Sequence, residues 1–308
     1  FQVSSIADLG PHCREPQLNK VQRVSSLRAA VSAARKDKKI IGFVPTMGNL
    51  HEGHLELVRQ AKQRAEFVVV SIFVNPTQFG AHEDLDNYPS TPEEDARCLA
   101  ELGTDLLFLP EKETMYPGEL ADQTVVYVPK IGDLYCGQDR PEHFYGVTTV
   151  VSRLFNMVQP DVVVFGKKDY QQLAIIRRMV ADLAYPIQIV GVDTVRAEDG
   201  LALSSRNGYL SETERAKAPA LQQALQSMAA TLQAQGSVAS KKALKQLEDE
   251  TKKGLAANGW TPQYITVCRQ DDLQPAKRGD QELVILAAAQ LGKARLIDNL
   301  EVSLSEQD

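Results

Sequence analysis

IIGFVPTMGNLHEGHLELVRQAKQRAEFVVVSIFV occupies residues 40–74. An apolar run at 40–44 gives way to a polar turn holding two glycines and two histidines. Leu55, Val58, Ala61 and Ala65 then recur at helical spacing, and a second apolar run begins at Phe67. Strand, turn, helix and strand in this order make a βαβ unit. Strands that are apolar throughout are buried on both faces, as in a parallel sheet covered by helices.

The alternation continues outward. DLLFLP (105–110), DVVVFG (161–166) and IQIVGV (187–192) read as further strands. Ala96, Leu99 and Leu102, then Leu173, Ile176 and Val180, fall at helical spacing between them. The expected fold is therefore α/β, a Rossmann-like doubly wound parallel sheet. In such sheets the ligand crevice lies beyond the carboxyl ends of the strands. PTMGNLHEGH follows the first strand, NPTQF the second and GKKDYQQ the fourth, so three polar clusters should open on one edge.

The pattern changes after residue 194. Residues 211–235 and 240–259 read as two helices, and YITVCRQ, ELVILAAAQL and ARLIDNLEV as a small terminal sheet. We expect two domains: a Rossmann-like ligand-binding domain over 1–194, and a smaller C-terminal α+β domain over 195–308 that closes over the site.

Composition narrows the function. Among 308 residues, 43% are hydrophobic and 24% charged, as in a soluble globular protein. A net charge of −6 argues against a nucleic-acid backbone as the main partner. Cys13, Cys98, Cys136 and Cys268 form no CxxC pair and suit reduced thiols in a cytosolic enzyme. No apolar stretch is long enough to span a bilayer. The first residues show no secretory signal, and without an initiator Met this start is read as processed or trimmed.

His51 and His54 are three apart and project from one side of a first helical turn, with Gly53 letting a ligand approach the backbone. A helix N-terminus with unpaired N–H groups and two histidines suits a polyphosphate. HEGH lacks the spacing of the zinc-protease pattern HExxH. The bland reading, a polar turn with incidental histidines, loses ground because two apolar strands flank it.

HxGH after a first strand resembles the signature of nucleotidylyltransferases and class I aminoacyl-tRNA synthetases. The fuller series, PTMG-L-HEGH, FVNPTQF, YP, FGKKDYQQ and DGLA-SSRN in order from 45 to 207, closely resembles the pantoate–β-alanine ligase (pantothenate synthetase) family. That resemblance implies adenylation of pantoate by ATP, followed by attack of β-alanine on the acyl adenylate. It implies that His51 and His54 hold ATP phosphates, that Lys168 offsets charge at the α-phosphate, and that Gly166 and Asp169 lie around the ribose. Ser204, Ser205 and Arg206 match a mobile phosphate-binding loop. Gln78 and Gln172 match pantoate-binding glutamines, Met47, Asn75 and Tyr88 the pocket lining, and Arg140 an arginine near the substrates. Glu94 and Asp95 match acidic residues near Mg²⁺, although carboxylates at a helix start also suit its dipole.

The sequence departs from the family at Lys167, where Glu is common, which adds positive charge beside the site. It departs again at Ser90, where Arg is common. The family further implies a cytoplasmic homodimer. Two rival readings make different demands. A nucleotidylyltransferase moving AMP to a phosphate acceptor needs an Arg- and Lys-rich acceptor pocket, and a non-catalytic nucleotide-binding module has no need of Lys168, SSR and both glutamines together.

Overall fold

The protein, studied as a computed structural model, is described over residues 18–80 and 83–304; Cys13 and the chain start lie outside these. Six parallel strands form the first sheet: β1 (Asn19–Val21), β2 (Ile41–Thr46), β3 (Phe67–Ile72), β4 (Leu106–Phe108), β5 (Val162–Gly166) and β6 (Gln188–Val192). Their order is β1-β4-β3-β2-β5-β6. From β2 the chain passes through helix Glu52–Lys62 to β3 on one side. From β5 it passes through helix Tyr170–Asp182 to β6 on the other. The topological switch therefore falls between β2 and β5, where a crevice opens.

Period-two alternation sorts the strand side chains. Val44, Val68, Val70, Leu107, Val162 and Val164 pack with helices Glu52–Lys62 and Pro92–Glu101. Ile41, Phe43, Val69, Leu106, Phe108, Val163 and Phe165 pack on the other face with helices Val24–Lys36, His143–Val158 and Tyr170–Asp182. Each such fully buried side chain contributes about 1.5–3 kcal/mol. The doubly wound sheet is as expected, with two local differences. β1 is a three-residue edge strand whose sequence NKV carries no apolar run. β6 lies at the other edge and is only half buried.

The second sheet is antiparallel: β7 (Thr261–Arg269), β8 (Glu282–Leu291) and β9 (Ala294–Ser303), in that order. One face carries Ile265, Val267, Leu283, Ile285 and Ala287 into a core with helices Ala220–Gln235 and Lys241–Ala257. Its other face places Cys268, Val284 and Leu286 in the first core. The stretch 211–235, read as one helix, is broken into Glu212–Lys217 and Ala220–Gln235 at Pro219, which has no N–H to donate. Among the described residues no helix is long and apolar enough to cross a membrane.

Candidate active site

The carboxyl ends of β2 and β5 open into a cavity of about 630 Å³, a normal size for a small-molecule site. Every phosphate- and substrate-binding candidate named from the sequence lines it; Glu94 and Asp95 do not.

The turn leaving β2 is left-handed at Gly48 (φ +83°) and Asn49 (φ +50°). A side chain at Gly48 would meet Ile72 and Asp95, so both conformation and space call for glycine. Asp95 reaches across from helix Pro92–Glu101 and is 1% exposed. Its carboxylate accepts the N–H groups of Asn49 (2.9 Å) and Leu50 (2.8 Å) and the hydroxyl of Thr91 (2.9 Å). It closes the turn that delivers His51 to the helix start.

His51 caps helix Glu52–Lys62. Its Nδ1 accepts from Gly53 N–H at 3.1 Å, and Nδ1 of His54 accepts from His51 N–H at 3.3 Å. With both Nδ1 atoms accepting, each neutral ring carries its proton on Nε2 and is a donor there. Burial, then Lys168, lowers the His51 pKa to about 4; burial, His51 and Lys168 lower that of His54 to about 3. Both are uncharged at neutral pH. Gly53 has a local purpose, since a Cβ there would lie 2.8 Å from Cε1 of His51.

Lys168 arrives from the neighbouring strand β5, in a 3-10 turn over Lys167–Asp169 that follows Gly166. Its Nζ lies 3.7 Å from the Asp169 carboxylate. Burial raises that carboxyl, but Lys168, Arg206 and the nearby histidines more than offset this and hold it below the usual range. Lys167 does not add free positive charge beside the site, contrary to expectation. It is paired with Asp193 (2.8 Å) and Glu301 (2.9 Å), which raise its pKa despite partial burial.

At the end of β3, Asn75 is 1% exposed and central to a network. Its Oδ1 accepts from the Tyr116 hydroxyl (2.8 Å) and its Nδ2 donates to Oε1 of Gln78 (3.1 Å). That fixes the Gln78 amide with Nε2 toward Met47 Sδ, at 3.2 Å. Asn75 thus orients Gln78. Both glutamines of DYQQ line the cavity, and among the described residues only one of them has its amide engaged by the surrounding backbone. Gln171 is buried, donates to the carbonyls of Ile131 and Leu134 and accepts from Cys136 N–H.

Arg140 lines the cavity but is paired with Glu83 and donates to the Gln78 carbonyl at 3.3 Å. His143, three residues on, was not singled out from the sequence. Its Nδ1–H donates to the same carbonyl at 2.8 Å, and burial followed by Arg140 lowers its pKa to about 4. Its signal was the pairing of Arg and His in GQDRPEHF.

Ser204 caps the 3-10 turn Ser205–Tyr209, accepting from Arg206 N–H at 3.3 Å. Ser205 donates to the Asn49 carbonyl at 3.3 Å, which sets this segment against the histidine turn. Arg206 makes a two-point ion pair with Asp84 (2.9 and 3.1 Å), which Tyr209 also contacts at 3.0 Å. Tyr88 packs edge-on to Phe79.

The two carboxylates matched to a metal role are engaged by other partners. Glu94 is exposed and bound to Arg97, while the Asp95 oxygens are taken up by the turn it closes. Among the described residues no group of three His, Cys, Asp or Glu side chains could hold a metal ion. Among the described residues Cys98, Cys136 and Cys268 are free thiols.

A family model described as Pantoate-beta-alanine ligase matches residues 19–301. The chain is 55% identical over 290 residues to the pantothenate synthetase of Pseudomonas putida, covering 94% of this chain and 99% of that one. It is 56% identical over 287 residues to the pantothenate synthetase of Stutzerimonas stutzeri, covering 93% and 99%. Among solved structures, the pantothenate synthetase of Thermus thermophilus superposes with a TM-score of 0.83 at 45% identity, covering 94% of this chain and all of that one. The pantoate-beta-alanine ligase of Francisella tularensis, complexed with Beta-gamma ATP and Beta-alanine, gives 0.74 at 32% identity, covering 92% and 97%.

Proposed function

This chain belongs to the pantoate-beta-alanine ligase family, and we propose on that premise how its cavity carries out the family's reaction. ATP and pantoate give pantoyl adenylate and pyrophosphate; the β-alanine amine then attacks the acyl carbon, forming the amide and releasing AMP and a proton. In the first step a pantoate carboxylate oxygen bonds to the α-phosphorus as the bond to the β-phosphate bridging oxygen breaks.

The observation that carries the assignment of roles is the pair of uncharged imidazoles locked as Nε2–H donors at a helix start, with Lys168 brought beside them by β5. The imidazoles and the helix N–H groups donate to the phosphates, and Lys168 offsets the charge that develops as pyrophosphate leaves. Gly166 and Asp169 border the ribose. Gln78, held by Asn75, and Gln172 bind the pantoate hydroxyls and carboxylate, with Met47 and Tyr88 as walls. Ser204, Ser205 and Arg206 close over the nucleotide. Rate then comes from positioning and preorganised charge, with no covalent enzyme intermediate. Arg140 is paired with Glu83, and the neighbouring polar groups are Asn75, Gln78 and Gln172, which counts against a phosphate-acceptor pocket and hence against the nucleotidylyltransferase rival.

Mg²⁺ is read as entering with ATP, since it usually keeps its waters and binds through substrate phosphates rather than an all-protein cage. A cytoplasmic homodimer is the further reading, carried by the family resemblance and testable by sedimentation.

The test of the roles is pantoate-dependent pyrophosphate–ATP exchange without β-alanine. Wild type should exchange, and His51→Ala and Lys168→Ala should lose about 10²–10³-fold in rate while staying folded. Near-normal exchange by either variant removes its role.

A further inference from the structure

Strand β9 has a polar face that the roles above leave unused. Alternate residues on a strand point to opposite faces. Leu296, Leu300 and Val302 pack with the C-terminal helices, whereas Asn299 and Glu301 turn toward the parallel sheet. Asn299 is 7% exposed, and its amide nitrogen donates to two successive carbonyls, Lys167 (2.8 Å) and Lys168 (2.9 Å). Glu301 holds Lys167 Nζ and the Tyr170 hydroxyl, each at 2.9 Å. Just before them, buried Asp298 forms a two-point ion pair with Arg196 (2.8 and 2.8 Å), which also donates to the Gly200 carbonyl at 3.1 Å. Gly200 is the second residue of DGLA (199–202), the approach to Ser204.

We infer that Asn299 is a positioning residue for Lys168, and that Asp298 and Asn299 together set the register between the two phosphate-facing segments. The inference rests on the role given to Lys168. A lysine carries its charge on a flexible four-carbon stem, so its placement depends on how its backbone is held. Two hydrogen bonds from one rigid amide to consecutive carbonyls fix the peptide planes on either side of the Lys168 Cα, and with them the direction in which the side chain leaves. The Asp298–Arg196 pair anchors the adjoining residue of the same strand to the approach to Ser204. The C-terminal sheet then serves as the gauge against which Lys168 and the SSR segment are set.

A double-mutant cycle on pantoate-dependent pyrophosphate exchange tests this, because residues acting through one another are non-additive. Asn299→Ala should lower kcat about 10–100-fold and leave the pantoate KM within about two-fold. In the Lys168→Ala background the same substitution should have almost no further effect. The full loss recurring on top of Lys168→Ala, or unchanged kcat in folded Asn299→Ala, overturns the inference while leaving the role of Lys168 intact. Should Asn299→Ala not be recovered folded, Asn299→Asp, equal in size but lacking the amide donors, runs the same cycle. Near-normal exchange by Lys168→Ala removes the role of Lys168, and this inference with it.

Discussion

The backbone N–H of His51 donates to Nδ1 of His54 across 3.3 Å, and the two rings lie 4.1 Å apart between centroids. A capping box ordinarily built from hydroxyl and carboxylate side chains is here built from two imidazoles. The cap leaves both Nε2–H groups available, and burial keeps both rings uncharged.

The folded chain should protonate these rings only near pH 4 and pH 3, whereas an unfolded histidine titrates near 6.5. Between those values the unfolded state binds more protons. The stability tied to the neutral rings is therefore full above pH 6.5 and is lost as pH falls toward 4 and 3. An imidazole NMR titration should find the depressed midpoints, and His54→Gln should lose less stability over the same acid range. A midpoint near 6.5 for either ring in the free protein contradicts the capped geometry.

Asp95 and Glu94 should separate cleanly. Asp95→Ala removes the buried acceptor of three hydrogen bonds and should destabilise the fold by about 2–4 kcal/mol. It should slow pyrophosphate exchange as well, because the histidine turn loosens. Glu94→Ala should leave both thermal midpoint and rate as in wild type. A raised Mg²⁺ requirement in Glu94→Ala would instead give Glu94 a role at the metal.

Gln78→Ala and Gln172→Ala should raise the pantoate KM with ATP binding nearly intact. Asn75→Ala should follow Gln78→Ala in direction, since it frees the Gln78 amide to turn. Each lost hydrogen bond is expected to cost about 1 kcal/mol or more, at least about five-fold in affinity. Equal weakening of ATP in isothermal titration would put these residues in the wrong part of the cavity.

Arg206→Ala should slow adenylation and raise the share of adenylate lost to water, because the segment set against Asn49 by Ser205 then closes less well. The readout is AMP formed against pantothenate formed at limiting β-alanine. An unchanged ratio and an unchanged adenylation rate would make SSR a linker turn.

Much of this was legible in the sequence because it depends on local pattern. Apolar runs marked the central strands β2, β3 and β5, and the polar clusters behind them marked the cavity. What was not legible depends on tertiary partners. Nothing in DYQQ says that the Gln171 amide is taken up by the carbonyls of Ile131 and Leu134. Nothing in KK says that Lys167 is bound by Glu301, far along the chain. Asp95 looked like a metal ligand or a helix-dipole carboxylate, and its partners at Asn49 and Leu50 become visible only once two helices are packed. In ARLIDNLEV nothing says that Asn299 reaches the carbonyls of Lys167 and Lys168.

The central claim is that pantoate attacks the α-phosphorus of ATP in this cavity. Pantoate labelled with ¹⁸O in its carboxylate tests it most directly. One labelled oxygen should leave in the phosphate of AMP as pantothenate forms. Label in inorganic phosphate, accompanied by ADP, would mean attack at the γ-phosphorus and would contradict the assignment of the site.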